Sequence, residues 1–178
     1  LNGQTLTLSG GGNLSLSNGS RKITSTIASG SLSINSNTIT LTNGGTLSTE
    51  ANTIVKLQNG LDCNATSLLT INGTLQINAN GFCVGNSPRY GASSLLQYNK
   101  SGSFSRTLEW TVDTAPIGTI GFPNNVQISS NTTLEYYNAT NLGPKGINGN
   151  LVIDAGSAFN FGSTSMAGAL SVGGNVSN

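Results

Sequence analysis

Histidine is missing from the 178-residue chain, and charge is scarce: 7 Lys+Arg and 6 Asp+Glu make 7% of the residues, where about a quarter is usual. Without histidine, the Ser–His and Cys–His forms of activated nucleophile are excluded. Two cysteines alone do not complete a zinc site, so neither a metal nor a cofactor is expected. The formal charge of +1 leaves no basic stripe, and Arg21-Lys22 is the one basic pair, which argues against nucleic acid as a partner. Apolar runs stop at two or three residues, far short of the roughly 20 that span a bilayer. A membrane-spanning chain is therefore not expected. No window shows apolar residues at i, i+3, i+4 and i+7, so no helix is expected either. Disordered tails are usually highly charged or proline-rich. This chain, with 4 Pro and regularly recurring apolar residues, is neither.

What the chain has is Ser, Thr, Asn and 24 Gly, set around single Leu, Ile and Val residues. Short alternating units recur: GNLSLS at 12–17, GSLSIN at 30–35, TITLT at 38–42, NGTLQIN at 72–78, NNVQIS at 124–129, GNLVID at 149–154 and GALSVG at 168–173. Alternation with period two marks half-buried strands, and the Asn-Gly, Gly-Gly and Ser-Gly steps between them mark turns. The intervals from Leu14 to Leu32 and from Leu151 to Leu170 are nearly equal, and that from Leu32 to Leu75 is close to two such steps. Units of about 20 residues are too small to bury their own apolar face, and stacking them solves that problem. The expected fold is all-β: a right-handed parallel β-helix (a solenoid) with coils of about 20 residues. A β-sandwich is the alternative, disfavoured because its strands need not resemble one another. One solenoid over residues 1–178 is expected, with regular coils over 1–87, looser aromatic-rich coils over 88–123, and regular coils over 124–178. Its neutral hydroxyl and amide surface suits an extracellular or cell-surface protein.

Cys63 and Cys83 are separated by one expected coil. Strands in neighbouring coils are about 4.8 Å apart, a separation that a disulfide tolerates. A Cys63–Cys83 bridge is expected, with buried free thiols as the alternative.

Catalysis has few candidates. Lys100-Ser101 are neighbours without a reason to activate one another. The carboxylates Glu50, Asp62, Glu109, Asp113, Glu135 and Asp154 are scattered. Only Asp113 and Glu135, near one period apart, invite stacking as a pair like that of a polysaccharide-degrading β-helix. No enzyme and no catalytic residue are expected. Thr5-x-Thr7, Thr24-x-Thr26 and Thr38-x-Thr40-x-Thr42 raise the idea of an ice-binding Thr face, but no such pair follows Thr42. Between Pro88 and Pro123 the repeat loosens, and Tyr90, Tyr98, Phe104, Trp110 and Phe122 gather with Arg89, Lys100, Arg106 and Glu109. Two readings compete there. The aromatics either cover the core of a longer coil, or Tyr90, Tyr98 and Trp110 form a carbohydrate-binding platform.

The run YGASSLLQYNKSGSFSRTLEWTVDTAPIGTIGFPNNVQISSNTTLEY, followed by GNLVIDAGSAFNFG and LSVGGNVSN, resembles a recurrent segment of very large secreted proteins of the Bacteroidota, substrates of the type IX secretion system. Tyr90, Gly91, Leu96, Tyr98, Glu109, Trp110, Gly121, Phe122, Pro123, Asn125 and Val126 stand where that pattern places them, and the likeness covers about residues 70 to 178. The resemblance implies a structural or adhesin-like passenger without catalysis of its own. Its implied partners are glycans or other surface components, and the secretion translocon during export. It also implies an O-glycosylation motif at Asp113-Thr114-Ala115, with Thr114 as acceptor. Leu1 and Asn178 both fall inside strand-like patterns, and the sorting domain of a type IX substrate is not in the sequence, so a fragment of a longer protein is expected.

Overall fold

The computed structural model describes residues 5–8, 14–17, 19–23, 30–34, 39–64, 66–136, 145–162 and 169–178, with backbone only at 5–8, 14–17, 21, 23 and 30–34. All regular elements among them are strands, and the strand ladders are parallel. The first half holds β1 (Thr5–Leu8), β2 (Leu14–Ser17), β3 (Ser20–Ile23), β4 (Gly30–Ile34), β5 (Ile39–Thr42), β6 (Thr46–Thr49), β7 (Thr53–Leu57), β8 (Gly60–Cys63), β9 (Leu68–Ile71), β10 (Thr74–Ile77), β11 (Phe82–Gly85) and β12 (Arg89–Tyr90). The second half holds β13 (Leu95–Tyr98), β14 (Gly102–Ser105), β15 (Asn125–Ile128), β16 (Thr132–Glu135), β17 (Lys145–Ile147), β18 (Leu151–Ile153), β19 (Ala158–Asn160), β20 (Leu170–Val172) and β21 (Val176–Ser177).

The strands stack as a parallel β-solenoid with three faces. One face runs the length of the molecule in the order β1-β4-β7-β10-β13-β15-β18-β21. The second and third, β2-β5-β8-β11 and β3-β6-β9-β12, stop at the aromatic region; beyond it, β14-β16-β19 and β17-β20 take over. Period-two alternation produces this directly, because successive side chains point to opposite sides of a strand. On the first face one register column reads Leu6, Leu32, Val55, Leu75, Leu96, Val126, Leu151, Val176. From Val55 to Val126 its members are wholly buried. A second column reads Leu8, Ile34, Leu57, Ile77, Tyr98, Ile128, Ile153, in which Tyr98 alone carries a polar tip.

Outward positions of the same face form an amide ladder. Gln76 donates to Gln97 (2.7 Å), Gln97 to Gln127 (3.2 Å), and Gln127 to both carboxylate oxygens of Asp154 (3.1 and 2.9 Å). A chain of amides donating in one direction needs an acceptor at its end, and Asp154 supplies it.

The coil is longer than expected and uneven. On the first face the shortest register step runs from Ile54 to Thr74, and the longest, half as long again, from Leu95 to Asn125. Leu32 and Leu75 are indeed two coils apart, through Val55. Leu14, however, sits on the second face beside Ile39, and Leu32 on the first, so their spacing compares two faces rather than two coils. The same miscount breaks the expected disulfide. Cys63 lies level with Gly85 and Cys83 with Leu61, and both cysteines are buried free thiols. The second cysteine comes two positions too early in the coil, which leaves the pair diagonal instead of opposite. Burial pushes the Cys63 thiol up to about 12 and raises that of Cys83 well above its ordinary value, so neither is a reactive thiolate.

Two outcomes are expected. A thiol-specific chromogenic reagent should leave the native protein unlabelled and find both thiols after unfolding without reductant. Leu75→Ala, in the middle of the first column, should lower the unfolding free energy by about 2–5 kcal/mol in denaturant titration.

Candidate functional site: a buried polar junction

The region that interrupts the repeat is the long coil between β13 and β15. After β14 the chain leaves the ladder pattern until Asn125, apart from one antiparallel bridge between Arg89 and Ile120. Instead of a third-face strand it sends out a two-legged excursion. The outgoing leg accepts from the coil above, Gly146 N to Val112 O at 3.0 Å. The returning leg donates to the coil below, Gly121 N to Pro88 O at 2.8 Å. Thr111 and Val112 N both donate to Gly121 O (2.9 and 3.1 Å), which ties the legs together. Two glycines permit the close approach. Gly121 has φ +74° with Thr111 Oγ1 where a Cβ would stand, and a Cβ on Gly146 would strike the carbonyl of Asp113.

Where the legs enter the lumen, the aliphatic core gives way to Tyr90, Tyr98, Arg106, Glu109 and Trp110, all wholly buried. Thr107 explains how a carboxyl survives there. Its N–H donates to Glu109 Oε1 at 2.8 Å, its hydroxyl to Oε2, and the Tyr98 hydroxyl completes the set at 3.0 Å. The Tyr90 hydroxyl donates to the Glu109 carbonyl at 2.8 Å. Thr107 Oγ1 also accepts the Cys83 N–H at 3.1 Å, so this side chain caps a β11 edge that has no strand above it. Arg106 Nη1 donates to the Trp110 carbonyl at 3.1 Å, and its guanidinium lies 5.3 Å from the Tyr136 ring centroid. Trp110 Nε1 donates to Gly146 O at 2.9 Å, and its ring packs at 6.0 Å from Phe159. Coils below and above are thus tied through one segment, Arg106 to Trp110.

Burial pushes the Glu109 carboxyl above its ordinary value, opposed by the hydrogen bonds from Thr107 and Tyr98. Burial likewise raises Tyr98, to which the neighbouring Glu109 adds. Arg106 is lowered by burial, against the pull of Tyr98 and Glu109. Buried Lys145, next to Gly146, falls to about 8 through burial and the like charge of Arg106, with Asp113 opposing.

The structure therefore brings Tyr90, Tyr98 and Trp110 together, but inside the lumen, with no ring face toward solvent. Thr114 stands on the excursion, exposed, with its N–H bonded to the Asp113 carboxylate; Ile117 beyond it is 41% exposed. Lys100 lies over Phe104, 4.4 Å from the centroid. Glu135 stands level with Ser105 and Asn160 and accepts from Ser103 (2.8 Å), whereas Asp113 faces Gly146 on another side, so the two carboxylates are not rung neighbours. Glu50 pairs with Lys22 at 2.6 Å. Among the described residues no three of His, Cys, Asp and Glu gather to hold a metal ion. Of the Thr pairs, residues 24–29 and Thr38 lie outside the described residues, while Thr40 and Thr42 are half-buried outward positions of β5. Thr107, Tyr136, Lys145 and Gly146 escaped the sequence reading; the only signal was Thr107 two residues before a carboxylate, the spacing of a local side-chain-to-backbone turn. Compared with known proteins, the chain matches no family model, no curated protein and no solved structure.

Glu109 fixes a pH dependence. A carboxyl raised in the folded state leaves the unfolded chain to ionise first, so stability falls as pH climbs from about 4.3 through the raised folded value. Glu109→Gln should flatten that decline in denaturant titrations across pH, whereas an unchanged slope would refute the assignment. Thr107→Ala, which removes one donor to the carboxylate and the cap on Cys83 N, should cost about 1–3 kcal/mol. Gly146→Ala should cost about as much or more, by overpacking.

Proposed function

We propose that this chain is a structural and adhesive module of a secreted or cell-surface protein, carried out of the cell as a type IX passenger. The observation that carries the reading is the division of side chains. The described lumen from Ile39 to Leu151 is filled by the protein's own residues, and the outward rows hold mostly hydroxyls and amides. Eight stacked strands at about 4.8 Å make a rod roughly 34 Å long, stiff because every rung is hydrogen-bonded to the next. Burial of Tyr98 and Trp110 supports this scaffold over a carbohydrate platform built on those rings. A scattered carboxylate set supports it over polysaccharide cleavage. Adhesive contacts with glycans or other surface components fall to the outward rows, of which the Gln76–Asp154 ladder is a continuous one among the described residues. Thr114, on the exposed excursion, is the proposed O-glycan acceptor.

An antibody raised against the chain should label intact cells of the source organism; labelling only after permeabilisation would contradict the surface assignment. Limited proteolysis should cut first within residues 113–120 and leave the stacked coils intact, read by mass spectrometry of the early fragments.

A further inference from the structure

An asparagine followed by glycine is where a backbone nitrogen most readily attacks the preceding side-chain amide, because glycine has no Cβ to keep the two apart. Such steps occur at Asn2, Asn18, Asn43, Asn59, Asn72, Asn80 and Asn148. The last five lie wholly within the described residues, and the stack treats them unequally.

Four of the five are closed. Asn72 Nδ2 donates to Thr49 O and Asn148 Nδ2 to Asn124 Oδ1, each at 2.8 Å. Gly149 N donates to Asn124 O at 2.6 Å, and Gly81 N to Asn78 O at 2.8 Å. Asn59 Oδ1 accepts the Gly60 N–H at 2.8 Å, but Gly60 is buried beneath Phe82. Crowding separates all four from the fifth. A Cβ on Gly60, Gly73, Gly81 or Gly149 would strike the Phe82 ring, the Thr53 carbonyl, the Leu57 carbonyl or the Asn125 amide, respectively. A glycine so enclosed has no room for the rotation that turns its nitrogen from a hydrogen-bond donor into a nucleophile.

Asn43-Gly44 is open. It forms the corner between β5 and β6, outside both strands, and both residues are exposed. Their φ values, +51° and +72°, make a tight turn closed by Gly45 N to Thr42 O at 2.8 Å. A Cβ on Gly44 would have Thr66 O as its nearest neighbour, at 3.9 Å. What restrains the Gly44 N–H is the exposed Thr66 hydroxyl, 3.2 Å away.

We propose that Asn43 deamidates spontaneously in the folded protein, with the Thr66 hydroxyl setting the rate. The Gly44 nitrogen gives its proton to hydroxide and bonds to Asn43 Cγ. The Cγ–Nδ2 bond breaks, and Nδ2 leaves as ammonia. Water then opens the five-membered imide at one of its two carbonyls, leaving aspartate or isoaspartate. Each conversion adds one carboxylate to a chain with 6 Asp+Glu and takes the formal net charge from +1 to 0. The inference is independent of the export reading and survives its failure.

Ageing the folded chain in mildly alkaline buffer, then digesting it with trypsin at weakly acidic pH for mass spectrometry, tests it. Peptide 23–56 holds Asn43 as its one Asn-Gly step, Asn59, Asn72 and Asn80 share peptide 57–89, and Asn148 falls in 146–178. Peptide 23–56 should convert first, in step with a new acidic band on isoelectric focusing. In denaturant all three peptides should convert at similar rates per step. Thr66→Val should speed Asn43 conversion about fivefold, the weight of one ordinary hydrogen bond. Asn43→Gly, which suits the turn's positive φ, should abolish the early acidic band. An earlier conversion of either other peptide, a lead for 23–56 that persists in denaturant, an unchanged rate in Thr66→Val, or an early acidic band in Asn43→Gly would each overturn the proposal.

Discussion

Everything in this protein depends on parallel, in-register stacking of one coil on the next. No coil has a core of its own. Leu75 is buried only because Val55 lies below it and Leu96 above, and the same holds along the column. The hydrophobic gain therefore belongs to the contact between rungs. That constraint explains the composition. Inward positions need apolar residues of similar size. Outward positions need side chains that hydrogen-bond along the stack, as Gln76, Gln97 and Gln127 do without placing like charges about 4.8 Å apart. A chain with few charges is what such a surface calls for.

The aromatic junction is where the constraint is broken and repaired. Two faces change ladders there, and β11 and β14 do not pair although they follow consecutive first-face strands. A missing rung leaves backbone donors without a strand to receive them, and such groups are costly when buried. Thr107 meets the Cys83 N–H, and Gly146 and Pro88 meet the excursion's two legs. The buried Glu109 is the centre of this repair, orienting Thr107 and Tyr98 while Tyr90 holds its backbone. Arg106, lying over the Tyr136 ring, and Trp110, bonded to the Gly146 carbonyl, then pass the connection on to the coil above. These polar groups select one arrangement for a segment that has no ladder to define it.

Much of the architecture was legible in the sequence, because period-two alternation punctuated by Gly and Asn has few meanings. The parallel β-helix and the place where it loosens both follow from that texture. Coil length was not legible from neighbouring motifs. All three faces share the same Gly-x-Leu texture, so Leu14 and Leu32 look equivalent while lying on different faces. A small error in coil length was enough to make Cys83, rather than Gly85, look like the partner of Cys63. The aromatic stretch was recognisable as unusual, but whether Trp110 pointed in or out depended on where the excursion left the coil. That turns on Gly146 and Gly121, far from Trp110 in sequence or unremarkable in a chain with 24 glycines.

The most direct test of this account uses the single tryptophan, Trp110, as its own reporter. Its native fluorescence should be blue-shifted and resistant to acrylamide quenching, and should become red-shifted and quenchable only in the same transition that unfolds the β-signal in circular dichroism. Red-shifted, freely quenched emission from the folded protein would contradict it, for the ring would then face solvent and the junction would be a surface platform instead of the repaired core of a solenoid.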